Sequence, residues 1–309
     1  MKKTVLLLSG IMVMSCTSQQ KKLVYPETTK VDTIDVYFGT EVPDPYRWLE
    51  NDTSAATAAW VEAENKVTNA YLAQIPFREQ LLKRLTDLAN YEKIGTPFKK
   101  HGKYYFYKND GLQNQSVLYV QDSLDGEARV FLDPNQLSDD GTVALTSLSF
   151  SNDGKYTAYT ISRSGSDWSE IYVMDTATGK LLEDHINWAK FTGAAWQKDG
   201  FYYSAYDAPA KGKEFSNVNE NHKIYYHKIG TPQAEDKLIY ENPAYPKRFY
   251  SAGTSKDERI LFIYESGAGR GNNLFIKDLE KSNAPLIQLT TDFDYQYSPI
   301  EVIGDKMYI

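Results

Sequence analysis

Gly102-Lys103-Tyr104-Tyr105-Phe106-Tyr107 opens a phrase that the chain then repeats. Gly154-Lys155-Tyr156-Thr157-Ala158-Tyr159 is the second copy and Gly200-Phe201-Tyr202-Tyr203 the third. Arg259-Ile260-Leu261-Phe262-Ile263-Tyr264 and Lys306-Met307-Tyr308-Ile309 follow. A turn signal precedes each copy: His101-Gly102, Asn152-Asp153-Gly154, Lys198-Asp199-Gly200, Lys256-Asp257 and Gly304-Asp305. Second strands follow at Leu118-Tyr119-Val120, Ile171-Tyr172-Val173-Met174, Ile224-Tyr225-Tyr226 and Leu274-Phe275-Ile276, most running into an Asp or Gly turn. A spacing of about fifty residues with several short strands per unit is the pattern of a β-propeller blade. From Tyr91 onward the hydrophobic period stays at two, so residues 91–309 are expected to hold four blades and the start of a fifth.

N-terminal to that region the period changes. Asp44-Pro45-Tyr46-Arg47-Trp48-Leu49-Glu50 predicts a turn leading into helix. Residues 53–75 read as helix: Ala55, Ala56, Ala58 and Ala59 are strong formers, and Trp60, Val61, Val67, Ala70, Tyr71 and Leu72 recur at helical spacing. Ser54 or Asp52 is positioned to cap it. Pro76 breaks the pattern, and residues 77–88 form a second helix with a stripe of Leu81, Leu82, Leu85 and Leu88. The expected organisation is a leader over residues 1–16, a polar tether over 17–30, a helical segment over 31–90 and a mainly β propeller region over 91–309.

Composition agrees with an exported β protein. Aromatic residues make up 14% of the chain and 24 residues are Tyr, a composition suited to pleated, half-buried surfaces. The net charge of −7 supplies no basic face, which argues against a nucleic-acid partner. Lys2 and Lys3 form a basic start, and residues 5–14 are apolar but too short to span a bilayer. Val13-Met14-Ser15-Cys16 resembles a bacterial lipobox, in which the Cys becomes the lipidated first residue. That makes Cys16 a candidate lipid-anchor site and the protein an expected periplasmic or cell-envelope lipoprotein; an ordinary signal peptide that contains a Cys is the alternative. Cys16 is the only Cys, so no internal disulfide can form.

Catalytic patterns are missing from the sequence. A nucleophile elbow needs Gly-x-Ser-x-Gly on a strand-to-helix turn, and the nearest approach, Phe249-Tyr250-Ser251-Ala252-Gly253, lacks the first Gly and lies among strands. Gly267-Ala268-Gly269-Arg270-Gly271 links two strands and opens no helix, so it is read as a hairpin loop and not a phosphate cradle. His101, His185, His222 and His227 do not have zinc-site spacing, and neither Asp139-Asp140-Gly141 nor Asn152-Asp153-Gly154 continues into a calcium loop. No metal and no cofactor are expected. Trp48, Trp60, Trp168, Trp188 and Trp196 are dispersed, with core packing their default role.

Several segments resemble the prolyl oligopeptidase family of serine peptidases. Asp44-Pro45-Tyr46-Arg47-Trp48-Leu49-Glu50 is similar to its N-terminal signature, and Asn109-Asp110-Gly111-Leu112-Gln113-Asn114-Gln115-Ser116-Val117-Leu118-Tyr119 to its first-blade hairpin. Gly165-Ser166-Asp167-Trp168 matches the second blade. Ala189-Lys190-Phe191-Thr192-Gly193-Ala194-Ala195-Trp196 and His227-Lys228-Ile229-Gly230-Thr231-Pro232-Gln233-Ala234-Glu235-Asp236 match the third. The resemblance covers roughly residues 25–300 in order. It implies a seven-bladed propeller stacked on an α/β-hydrolase domain, with the helical segment packed on the hydrolase. The Ser, Asp and His of the triad would follow the propeller, so none is expected in this chain, which is read as part of a longer enzyme.

The resemblance also assigns roles to residues within range. Phe191 corresponds to an aromatic lining the outer substrate pocket, with core packing beside Trp188 and Trp196 as the alternative. Asp167 corresponds to a carboxylate that pairs across the domain gap with an Arg binding the peptide backbone, or else it caps its own loop. Ile239 aligns near the pocket but departs in residue type. The implied function is cleavage of short peptides after proline by a monomeric serine endopeptidase whose propeller gates access. A dipeptidyl-peptidase-like or basic-residue-specific relative, and a non-catalytic lipoprotein propeller that binds peptide or polysaccharide, are the alternatives.

Overall fold

The computed structural model describes residues 22–309 apart from residues 216 and 268. The leader and Cys16 lie outside the described residues, as does the first part of the tether. Backbone contacts divide the chain into two units, with the division between Leu82 and Lys83.

In the first unit β1 (Ile34–Tyr37) and β2 (Thr40–Pro43) form a hairpin. Its turn uses Gly39 at φ 82°, an angle that costs glycine nothing because it has no Cβ. Arg47 then gathers three carboxylates: it pairs with Asp35 and sits 2.9 Å from Asp44 and 3.1 Å from Glu50. This explains why the Asp-Pro-Tyr-Arg-Trp-Leu-Glu stretch folds as a compact corner. α1 (Ala55–Leu72) starts where the alanines start. Ser54 caps it, its Oγ accepting the Thr57 amide at 3.1 Å and so satisfying a first-turn N–H.

α2 (Arg78–Ala89) follows Pro76 and spans the division. Its leucine stripe is left in solvent: Leu81, Leu82, Leu85 and Leu88 are 49%, 52%, 54% and 52% exposed.

The second unit is built of up-and-down antiparallel sheets. β3 (Lys93–Ile94) and β4 (Phe98–Lys100) both pair with β5 (Lys103–Asn109), which continues to β6 (Val117–Gln121) and β7 (Arg129–Leu132). β8 (Val143–Phe150), β9 (Tyr156–Arg163), β10 (Ser169–Asp175) and β11 (Leu181–Ala189) form the next group. β12 (Ala195–Gln197), β13 (Gly200–Ala205), β14 (Lys223–Lys228) and β15 (Lys237–Tyr240) form the third, joined to the second by the single pair Ala189–Ala205. β16 (Phe249–Thr254), β17 (Ile260–Ser266), β18 (Asn273–Asp278) and β19 (Ile287–Gln288) form the fourth, and β20 (Glu301–Ile303) pairs with β21 (Lys306–Tyr308). The five copies of the sequence phrase are β5, β9, β13, β17 and β21.

The turns before two of these strands share one device. Ser151 Oγ donates to Asp153 at 2.7 Å and accepts the Tyr156 amide at 2.9 Å. Ser255 Oγ donates to Asp257 and accepts the Ile260 amide at 2.9 Å in the same way. A short polar side chain that replaces a lost ladder bond is what makes such turns sharp. The protein is thus mainly β with few helices, and its core lies between neighbouring sheets. Ile171, Val173 and Ile186 of the second group pack with Phe201 and Tyr203 of the third. Tyr202 and Ile224 of the third pack with Tyr250, Leu261 and Ile263 of the fourth.

Candidate functional site

The end of β11 and the connector to β12 hold two bulky residues in the left-handed region. Trp188 sits at φ 59° and Phe191 at φ 52°. A bulky residue is held in the left-handed region against about 1–3 kcal/mol of strain, so the surroundings must over-determine both. Lys190 between them is buried. Its Nζ lies 4.6 Å from the Trp168 ring centre, 5.5 Å from that of Phe191 and 3.8 Å from the Asp167 carboxylate. Two aromatic faces and one carboxylate are what a partly desolvated ammonium needs.

Phe191 itself is turned outward, 52% exposed. Its ring meets Phe249 edge-on at 5.4 Å. The two rings, with Tyr250, Ser251 and Ser266, line a cavity of about 250 Å³.

His222 sets the separation of these walls. Fully buried, it accepts the Tyr250 amide on Nδ1 at 3.0 Å and faces the Lys190 carbonyl with Nε2 at 3.0 Å. A carbonyl only accepts, so Nε2 carries the proton and the ring is neutral. Tyr250 and Lys190 are the chain neighbours of Phe249 and Phe191, so one imidazole clamps the backbones that present both rings. Burial pushes its pKa down to about 4, and the Lys190 ammonium acts in the same direction against the hydrogen bond to the Lys190 carbonyl. Tyr206 stacks on its face at 4.5 Å.

Glu265 anchors the floor. It is buried, and accepts from Arg248 Nη1 at 3.0 Å, Tyr250 OH at 3.2 Å and Asn273 Nδ2 at 2.8 Å. Burial and the Glu265 charge push the Tyr250 phenol up, so it stays a donor. Arg248 is pinned in turn on the Tyr245 ring at 3.5 Å.

A second buried imidazole ties the groups of strands that flank the connector. His227 on β14 lies between Asp184 of β11, 3.0 Å from Nε2, and Asp236, 2.7 Å from Nδ1. Asp184 also accepts the Gly230 amide at 2.6 Å, and Asp236 the Tyr203 hydroxyl at 2.7 Å. Burial disfavours the imidazolium, but hydrogen bonds to Asp236 and Asp184 outweigh it and raise the His227 pKa.

A family model described as "Prolyl oligopeptidase, N-terminal beta-propeller domain" matches residues 26–309. The chain belongs to the prolyl oligopeptidase family. It is 49% identical over 289 residues to a prolyl endopeptidase of Elizabethkingia meningoseptica, covering 93% of this chain and 41% of that protein. It is 33% identical over 318 residues to the dual function macrocyclase-peptidase POPB of Galerina marginata, covering 92% and 43%. A solved structure of prolyl oligopeptidase B from Galerina marginata, bound to a 25mer macrocyclization substrate, superposes with a TM-score of 0.77 at 31% identity, covering 92% and 44%. The chain therefore spans about two fifths of the length of the curated relatives it matches. Within the family's architecture it is propeller and N-terminal segment.

The residues singled out from the sequence of this family member fall in different places. Phe191 stands at the cavity and away from Trp196, which is buried in the core between the second and third groups. Asp167 is next to the connector, with its side chain 71% exposed and one flank against Lys190. Ile239, half-buried on β15, packs on the core of Tyr202, Ile224 and Tyr250 and does not line the cavity. Ser251 lies in mid-strand on β16, paired with Tyr264 of β17, far from any strand-to-helix turn. Trp168 and Trp188 depart from the core default: they meet edge-on at 5.4 Å beside a second cavity.

The sequence reading missed Phe249 and His222. Phe249 had a signal, because it opens the first strand of its sheet, as Phe191 shortly precedes that of the sheet before. His222 had none, since its task is to bracket two backbone groups and not to bind metal.

Proposed function

We propose that this chain is the substrate-admitting part of a serine peptidase that cleaves short peptides on the carboxyl side of proline, with the nucleophile, base and orienting carboxylate supplied by an α/β-hydrolase domain outside it. The observation that carries the reading is the Phe191–Phe249 cavity in a chain 49% identical to a prolyl endopeptidase. Exposed aromatic walls held by buried polar clamps suit an extended peptide, which gains apolar contact without ordering the protein further. Asp167 has a free side for an Arg of the hydrolase domain, and the solvent-facing leucines of α2 offer that domain an apolar seat. The propeller, in this reading one of seven blades, filters by size, so folded proteins stay out.

The test is hydrolysis of a chromogenic peptide with proline before the reporter. The protein with its hydrolase domain should cleave it, and Phe191→Ala together with Phe249→Ala should lower kcat/KM mainly through KM. An intact Ser elbow without cleavage would overturn the reading, and so would an open reading frame that ends after the propeller, which would leave a binding module.

We further propose that residues 1–16 direct export and that Cys16 is lipidated, anchoring a monomer to a bacterial envelope membrane. The basic Lys2-Lys3 start, the short apolar run and Ser15 before Cys16 support it. Cys16→Ser should release the protein into the soluble fraction; full retention in membranes would refute the anchor.

A further inference from the structure

Beside Phe191 lies a second cavity, of about 300 Å³, lined by Trp168, Trp188 and Phe215 with Arg163, Glu170 and Asn187 among its polar members. Its charges are internally answered. Glu170 accepts from Arg163, from Tyr172 OH at 2.6 Å and from His185 Nε2 at 3.0 Å. Glu214, behind Phe215, spends a carboxylate oxygen on the Gly212 amide at 3.0 Å. Ser166 Oγ accepts the Trp168 amide at 3.0 Å. The largest side chains left to meet a ligand are its three aromatic rings.

That surface is rigidly presented. Trp168 Nε1 donates to the Glu214 carbonyl at 2.7 Å, which seats the loop bearing Phe215 over the indole. Trp188 stands edge-on to Trp168, fixed by the same strained connector that turns Phe191 toward the first cavity. One cation links a lining ring of each cavity: the Lys190 ammonium lies 4.6 Å from the Trp168 ring centre and 5.5 Å from that of Phe191. Those rings are therefore at most about 10 Å apart. An extended peptide advances about 3.3 Å per residue, so side chains two or three residues apart reach both.

Building on the peptidase reading above, we propose that the Trp168–Trp188–Phe215 cavity is a second subsite. It takes an uncharged apolar or aromatic side chain of the peptide two or three residues from the one seated at Phe191. The stretch from Trp188 at the end of β11 to Phe191 acts as a ruler that reads two side chains of one extended chain. A lysine side chain is disfavoured because the Lys190 ammonium already sits on the Trp168 ring.

The experiment compares long peptides of one scissile sequence, with Phe, Ser or Lys placed in turn at each position around the residue seated at Phe191, against a short chromogenic proline substrate that reaches only the first cavity. One position should prefer Phe over Ser about tenfold in kcat/KM, the scale of a single good aromatic contact, with Lys worse than either. Trp188→Gly, which removes the ring and relieves the backbone, should reduce the long-to-short kcat/KM ratio about tenfold. Phe215→Ala, on an exposed loop where folding is not at stake, should act in the same direction. No positional preference, or a preference that survives both variants, overturns the subsite. If the protein cleaves neither substrate, the peptidase reading fails. The same peptides are then followed by fluorescence anisotropy, where absence of the Phe preference overturns the subsite by itself.

Discussion

Replacing His222 by Asn should remove the stability that the propeller unit loses through this residue between pH 7 and pH 4. In the native chain His222 is neutral, with Nδ1 accepting the Tyr250 amide and Nε2–H serving the Lys190 carbonyl. An unfolded chain carries an ordinary His that titrates near 6.5, while the buried ring is pushed down to about 4. Below pH 6.5 the unfolded state therefore binds the proton first, and stability falls as pH drops through that window. About 2.5 pK units correspond to roughly 3 kcal/mol lost between pH 7 and pH 4. An Asn amide retains one donor and one acceptor but does not titrate. Urea unfolding of both proteins from pH 7 to pH 4 would show wild type more stable at neutral pH, with the difference shrinking by about 3 kcal/mol toward pH 4. A difference that stays flat across that range would refute the neutral-clamp assignment. The variant should also raise KM for peptides, because Phe191 and Phe249 lose their common bracket.

Other perturbations follow from the same geometry. His227→Gln strands two buried carboxylates and should cost about 3–5 kcal/mol by urea unfolding at pH 6. Because the His227 pKa is raised in the folded state, that stabilisation is fully present below about pH 6.5 and fades as pH rises further; a wild-type advantage that grows with pH would contradict it. Glu170 works in the opposite direction: burial pushes its carboxyl up, but hydrogen bonds from Arg163, Tyr172 and His185 together outweigh that and hold it down to about 2. Its contribution is present above about pH 4.3 and disappears as pH falls toward 2, so wild type and Glu170→Gln should converge in thermal melts below pH 3. Gly200→Ala would drive a methyl group onto the His227 carbonyl and to 2.6 Å from the Tyr226 ring, costing about 1–3 kcal/mol in urea unfolding. A loss under about 0.5 kcal/mol would show that β14 yields there.

The strand phrase was legible because a half-buried strand leaves a period-two trace and its turn a Gly or Asp. β5, β9, β13 and β17 stand where Tyr104, Tyr156, Phe201 and Ile260 put them. The first and last strands of each sheet were harder. β8, β12 and β16 carry small residues such as Ser147, Ala195 and Ser251, and β19 has only two residues, so neither leaves a hydrophobic alternation. Ser54 was readable as a cap because capping is local. The site was less so. Phe191 came from wording shared with a family, whereas the Trp188 wall depends on a backbone angle that no local pattern announces. His222 and His227 are placed by contacts across 28 to 43 positions of sequence, and a histidine read alone does not reveal its partners.

Each group of strands is laced internally by backbone ladders, but the second and third share one ladder pair, Ala189–Ala205, and the third and fourth share none among the described residues. This gives the molecule a mechanical grain. Held at its ends and stretched, it should shed sheets one after another. A group of about fifty residues paid out at roughly 3.4 Å each lengthens the tether by about 170 Å per event. The second and third groups carry the extra catch of Asp184, His227 and Asp236, and the third and fourth that of His222 on the Tyr250 amide, so the first of these joints should weaken as pH rises and the second as pH falls.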